Sequence, residues 1–178
     1  MTALIFAASC SDGKGDNPPY MNPSLDVEKR VTDLMKRMTL EEKIGQMNQC
    51  VGLNHIDESQ AGMTEEDLMR NTAQAFYPGF LKEDIAQLAR EGKIGSFLHS
   101  VHIGEANELQ QLAMESRLRI PLLMGIDAVH GCALVSGTTV YPTSIGMAST
   151  FDPELVYISS RQTAKEMRAI GMHWTFAP

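Results

Sequence analysis

From Phe80 onward the chain repeats one rhythm: an amphipathic stretch, a breaker, then a short apolar run. Leu81, Ile85, Leu88 and Ala89 share one helical face, and Gly92 suits the left-handed stop that follows. Ile94–Leu98 reads as a short strand. Glu105–Leu118 has helical spacing again, with Leu109, Leu112 and Ala113 on one side. Ile120–Ile126 is almost wholly apolar, which fits a strand buried on both faces of a parallel sheet. Pro121 belongs at the first positions of that strand, where no ladder donor is needed. After a long Gly-rich loop, Asp152-Pro153-Glu154 opens a helix: Asp caps, Pro occupies the first helical position, and Glu faces the positive end of the dipole. The helix runs to about Ile170, Gly171 ends it, and Met172–Phe176 is the last strand. Helix then strand, three times over, predicts an α/β fold with a parallel sheet. A sheet that stops at its third strand reads as an incomplete domain.

Upstream the signals are more local. Val27, Val31, Leu34, Met35 and Met38 form the apolar stripe of a helix over Leu25–Met38. Thr39-Leu40-Glu41-Glu42 has the T-x-x-E form of a capping box, so a second helix begins there and carries Lys43–Met47. Residues 52–79 are polar and mixed, and read as a long excursion with a short helix near Thr64–Ala75. At the start, Thr2–Ser9 is apolar and small, Cys10 follows, and Ser11–Pro19 is a breaker-rich linker. That order resembles the end of a bacterial lipoprotein signal, with Cys10 as the lipidated first residue after cleavage, although no Lys or Arg precedes the apolar run. The alternative is an ordinary frayed terminus with a chance Cys. On this reading residues 1–22 are a signal remnant and linker, and residues 23–178 are one incomplete domain.

Composition excludes some functions. The net charge of -7 argues against a nucleic-acid partner, which needs a basic face. No apolar stretch approaches the roughly eighteen residues that a membrane span requires. The 12 Met residues are taken as core filler rather than metal ligands. Cys50 and Cys132 lack any CxxC spacing and are expected to be buried thiols.

In a parallel α/β fold, function gathers at the carboxyl ends of the strands. Asp127 stands directly after the apolar run, where a carboxylate is costly unless it is paired or bound. It can accept hydrogen bonds from neighbouring sugar hydroxyls; the alternative is that it caps the following turn. His130 is read as a packed, hydrogen-bonded residue that shapes the loop, with proton transfer as the alternative role. Gly131 is read as serving backbone geometry. His99 and His102 have a conceivable metal spacing, but no third ligand is near and no HExxH motif exists, so no metal site is expected. Trp174 is expected in the core rather than as a sugar-stacking platform. Asp57-Glu58 and Glu65-Glu66-Asp67 are expected to be solvated surface.

Four segments then occur in a telling order. Arg37–Met47 reads RMTLEEKIGQM. Gly125–Gly131 reads GIDAVHG after RLRIPLLM. Tyr141–Val156 reads YPTSIGMASTFDPELV, and Ala164–Pro178 reads AKEMRAIGMHWTFAP. Together they resemble the N-terminal domain of glycoside hydrolase family 3, the β-glucosidase-like enzymes, from roughly Leu25 to the end. The resemblance implies the N-terminal part of an irregular (β/α)8 TIM-type barrel, here cut off after about three strands; a complete barrel takes about 250 residues.

It further implies exo-acting, retaining hydrolysis of terminal β-linked sugars, with an oligosaccharide or glucoside as substrate and no cofactor. One carboxylate then acts as nucleophile and a second as acid and base. In the family these come from a later strand and a second domain, so no catalytic residue is expected among these 178. Only Asp127 matches a family functional residue, the Asp that binds hydroxyls of the terminal sugar. His130 and Gly131 would shape that pocket. Cys132-Ala133-Leu134 departs from the Asn-rich continuation common in the family, which leaves the preferred sugar open. Location in the bacterial periplasm or at the outer membrane, anchored through Cys10, or simple secretion, completes the expectation. The competing reading is a catalytically inactive sugar-binding or remnant lipoprotein.

Overall fold

A computed structural model of the chain describes residues 17–64, 66, 81–102 and 104–177. Cys10 and nearly all of the short helix expected near Thr64–Ala75 lie outside the described residues. The described backbone forms two compact units, one ending at Met38 and the other beginning at Thr39.

In the first unit a 3-10 turn, Pro19–Met21, precedes helix α1, Val27–Arg37. Asp26 caps α1 by accepting from the N–H groups of Glu28 and Lys29. Asp33 and Arg37, one helical turn apart, pair at 2.9 Å, and Arg30 Nε donates to the Tyr20 carbonyl at 2.9 Å.

The second unit runs α2 (Leu40–Gly45), β1 (Gln49–Val51), α3 (Leu53–Gln60), α4 (Lys82–Arg90), β2 (Ser96–Leu98), α5 (Glu105–Glu115), β3 (Leu123–Ile126), α6 (Ser144–Ala148), α7 (Pro153–Ala169) and β4 (Trp174–Thr175). The strands form one parallel sheet in the order β1-β2-β3-β4, with Cys50 opposite Phe97, Phe97 opposite Met124, and Gly125 opposite Trp174. Parallel neighbours need a crossover of a dozen or more residues, which the intervening helices supply.

The local signals are present where the sequence places them. Thr39 and Glu42 form the capping box, each side chain satisfying the other's backbone N–H. Glu42 also takes the Arg117 guanidinium at 2.6 Å, which holds its carboxyl below the usual glutamate range. Asp152 caps α7 with Pro153 at the first helical position, and Gly171 has φ 84° after it.

Three differences have physical causes. The sheet has four strands, one more than the pattern offered. Gln49–Val51 is too short to show alternation, and only Cys50 and Val51 of it are buried. Helix α3 likewise replaces part of the supposed excursion: Leu53 and Ile56 are its only buried residues, too few for a periodic stripe. The loop after β3 contains the short helix α6, started by Thr143, whose hydroxyl accepts from the Gly146 N–H.

The core lies between the sheet and the crossover helices. Phe97, Met124 and Ile126 from the strands meet Ile56, Ile85, Ala89 and Leu109 from α3, α4 and α5, all essentially without solvent exposure. Trp174 is a correction: it is 42% exposed and tilts against Phe176, with ring centroids 5.0 Å apart. Among the described strands β4 has a neighbour on one side only, and both of its residues are exposed. Gly125 opposite is needed for that contact, because a Cβ there would lie 2.0 Å from Trp174 Nε1. No helix among the described residues is long and apolar enough to cross a membrane.

Candidate functional site

Parallel strands point their carboxyl ends the same way. The segments after Val51, Leu98, Ile126 and Thr175 therefore gather along one edge of the sheet. Each of the first three carries polar side chains: His55, then His99 and Ser100, then Asp127 and His130.

Glu105 ties two of these segments together. It is buried at the start of α5, and such a carboxylate must find donors. Its Oε1 accepts the Asn54 N–H at 3.0 Å, and its Oε2 accepts the Ser100 hydroxyl at 3.0 Å. Sequence reasoning missed this residue, although a signal existed: Glu105 shares the helical face of Leu109 and Ala113, where an acid is out of place unless it is used.

Asp127, directly after β3, has a side chain 45% exposed. His99 Nε2 lies 3.2 Å from its Oδ2, an ion-pair distance, yet off the line of a hydrogen bond, so this buried nitrogen has no hydrogen-bond partner. The ring of His55 meets the ring of His99 edge-on, centroids 6.3 Å apart. His102 turns instead to Glu58, 3.0 Å from its Oε1. The two histidines that sequence spacing offered as conceivable metal ligands thus face different carboxylates. Asp57 and Glu58, expected as plain solvated surface, are exposed but paired, with Lys82 and His102.

The loop that starts at Asp127 is pinned along its length. The Ala128 N–H donates to Thr175 Oγ1 at 3.1 Å, joining the ends of β3 and β4. The His130 carbonyl accepts the Tyr141 N–H at 2.8 Å, folding the loop back on itself. Gly131 sits at that fold with φ 92°, and a Cβ there would lie 2.1 Å from the Thr139 carbonyl oxygen. Thr138 donates its hydroxyl to the carbonyl oxygens of Cys132 and Val135. Cys132 is fully buried, and burial, with a smaller push from the Glu166 charge, raises its thiol pKa. His130 differs from expectation in its side chain: Nδ1 is buried without a hydrogen-bond partner. Its ring borders a groove of about 450 Å³ between this loop and α6 and α7. Val129, Met147 and Val156 give the groove apolar walls, and Ser144, Ser159 and Thr163 give it polar ones. The groove begins at Ala128, the next residue after Asp127.

Chemically, an exposed carboxylate can only accept hydrogen bonds, and it can accept several. Beside it the imidazole can donate. That combination suits a neutral, hydroxyl-bearing ligand.

A parallel sheet with its polar side chains collected at the carboxyl ends of the strands defines an α/β protein whose site lies at that edge. More particularly, residues 39–178 match the glycosyl hydrolase family 3 N-terminal domain, and the chain belongs to that family. It is 31% identical over 149 residues to a lysosomal beta glucosidase of Dictyostelium discoideum, covering 83% of this chain and 18% of the relative. It is 33% identical over 150 residues to a periplasmic beta-glucosidase of Salmonella typhimurium, covering 83% of this chain and 16% of the relative. Among solved structures it is similar to the exo-1,3/1,4-beta-glucanase ExoP from a Pseudoalteromonas species, at 27% identity and a TM-score of 0.60, covering 91% of this chain and 19% of that one. The chain therefore spans less than a fifth of the length of each of these three proteins. The likeness identifies the four strands as the N-terminal portion of a TIM-type barrel.

Proposed function

We propose that this domain serves an exo-acting, retaining β-glycosidase, and that Asp127 holds hydroxyls of the terminal sugar. The observation that carries the reading is the half-exposed Asp127 carboxylate at the carboxyl end of β3, beside an imidazole and at the start of a pinned loop. His130 and Gly131 fix the course of that loop and so shape the pocket. Membership of the family and the names of its relatives support hydrolysis of O-glycosyl bonds, with a β-glucoside as the preferred class of substrate.

The retaining reaction needs two carboxyl groups about 5–5.5 Å apart, one as nucleophile and one as acid and base. At this edge of the described sheet Glu105 is occupied by Asn54 and Ser100, and Glu58 faces His102. The family resemblance implies that the reacting carboxylates come from a later strand and a second domain, so that Asp127 contributes by binding. Its charge-assisted bonds are worth about 1.5–3 kcal/mol each. Periplasmic relatives support export, and Cys10 remains a proposed point of lipid anchoring.

The test is kinetics of the full-length protein on an aryl β-glucoside. Asp127→Asn is expected to lower kcat/KM by about tenfold or more, and Asp127→Ala further, with both folds intact. Near-normal kcat/KM in Asp127→Ala would reduce Asp127 to a turn residue.

A further inference from the structure

His99 stands out on two independent grounds. It has φ 57°, in the left-handed region that residues with side chains seldom occupy. Such backbone persists only where the surroundings over-determine it, and it is found most often at functional sites. Here the surroundings do so: the His99 N–H donates to the Gly125 carbonyl at 2.9 Å, and the carbonyl just before it, on Leu98, accepts the Gly52 N–H at 2.9 Å. The other ground is the ring. Nε2 is buried without a hydrogen-bond partner and lies 3.2 Å from Asp127 Oδ2, off the line of a hydrogen bond. A buried polar atom left unpartnered is costly and calls for an explanation. His55, edge-on at 6.3 Å, backs the ring from the side of β1.

We infer that His99 is a positioning residue for Asp127: its Nε2–H holds Oδ2 and leaves Oδ1 turned to the sugar hydroxyls. This rests on the reading of Asp127 as a sugar-binding residue. The distance already allows the bond and the direction does not. Catalytic hydrogen bonds are often poorly aligned before ligand enters and tighten afterwards. Binding a hydroxyl at Oδ1 would set the carboxylate plane, and a small turn of the imidazole then completes the bond at Oδ2. The His99 bond thus forms with the substrate bond and limits the orientations Asp127 can take.

The test is a double-mutant cycle in the full-length protein with an aryl β-glucoside. His99→Phe is expected to lower kcat/KM by about tenfold, dividing between kcat and KM as Asp127→Asn does. His99→Asn suits the left-handed backbone but stops short of Asp127, so it should show the same loss without added bulk. His99→Gln carries an N–H near the Nε2 position and should recover to within about threefold of the parent. In an Asp127→Ala background the His99 changes should matter by less than about twofold. A loss from His99→Asn that stays equally large in the Asp127→Ala background, or no loss at all, overturns the inference and leaves Asp127 as the sugar residue. An unaffected Asp127→Ala, or no turnover by the parent, overturns the underlying reading instead. Melting curves identify any variant that fails to fold, and the Asn and Gln pair then decides in place of Phe.

Discussion

Glu166 on α7 accepts both the backbone N–H of Thr139 at 2.9 Å and its hydroxyl at 2.8 Å. One carboxylate thereby ties the helix before β4 to the far end of the loop that starts at Asp127. Those two bonds, from the backbone first and then the hydroxyl, hold the Glu166 carboxyl below the usual glutamate range.

Glu166→Gln should therefore destabilise the domain modestly, by about 0.5–1.5 kcal/mol, since the site is exposed. The folded pKa is depressed, so the contribution is complete above the ordinary glutamate value of about 4.3 and is lost as pH falls through the lower folded value. Thermal melts of parent and variant should differ at neutral pH and converge on strong acidification. A constant gap would show that the charge is not what holds Thr139.

Gly131→Ala should be worse. The new Cβ would meet the Thr139 carbonyl at 2.1 Å, against backbone rather than a flexible side chain, and φ 92° disfavours any side chain. A loss of about 2 kcal/mol or more is expected, with the loop around Tyr141 displaced. A melt within a degree or two of the parent would mean that the loop yields freely.

Phe97→Ala removes a fully buried ring from the middle of β2, where Cys50 and Met124 flank it in register. The expected cost is about 3–5 kcal/mol, read as a fall in denaturant midpoint at unchanged slope.

Made by itself, the 178-residue chain should self-associate and should not hydrolyse aryl β-glucosides. Ile145 is 82% exposed, Phe151 93% and Tyr157 57%, and β4 has one neighbour among the described strands. Apolar side chains this exposed, together with a strand edge unpaired among the described residues, favour association. Light scattering after gel filtration checks the first statement: a monodisperse monomer with a sharp melt would argue against it. Turnover by rigorously purified chain would overturn the second.

Local chemistry was readable from the sequence alone. The Thr39–Glu42 box, the Asp152-Pro153 start of α7 and the Gly92 and Gly171 stops each depend on residues within one turn of one another, so the order of letters contains the whole interaction. The apolar run ending at Ile126 likewise identified β3 and set Asp127 at its end. Tertiary structure decided the rest. Gln49–Val51 is a strand only because Phe97 and its neighbours offer a ladder; three residues carry no period of their own. Trp174 was expected inside and is half-exposed, because burial depends on what packs across a strand and not on the apolar letters beside it. The approach of His99 to Asp127 joins residues 28 positions apart, and it exists because β2 and β3 pair with Leu98 opposite Gly125. Register between strands is a non-local quantity, and no spacing within either strand encodes it.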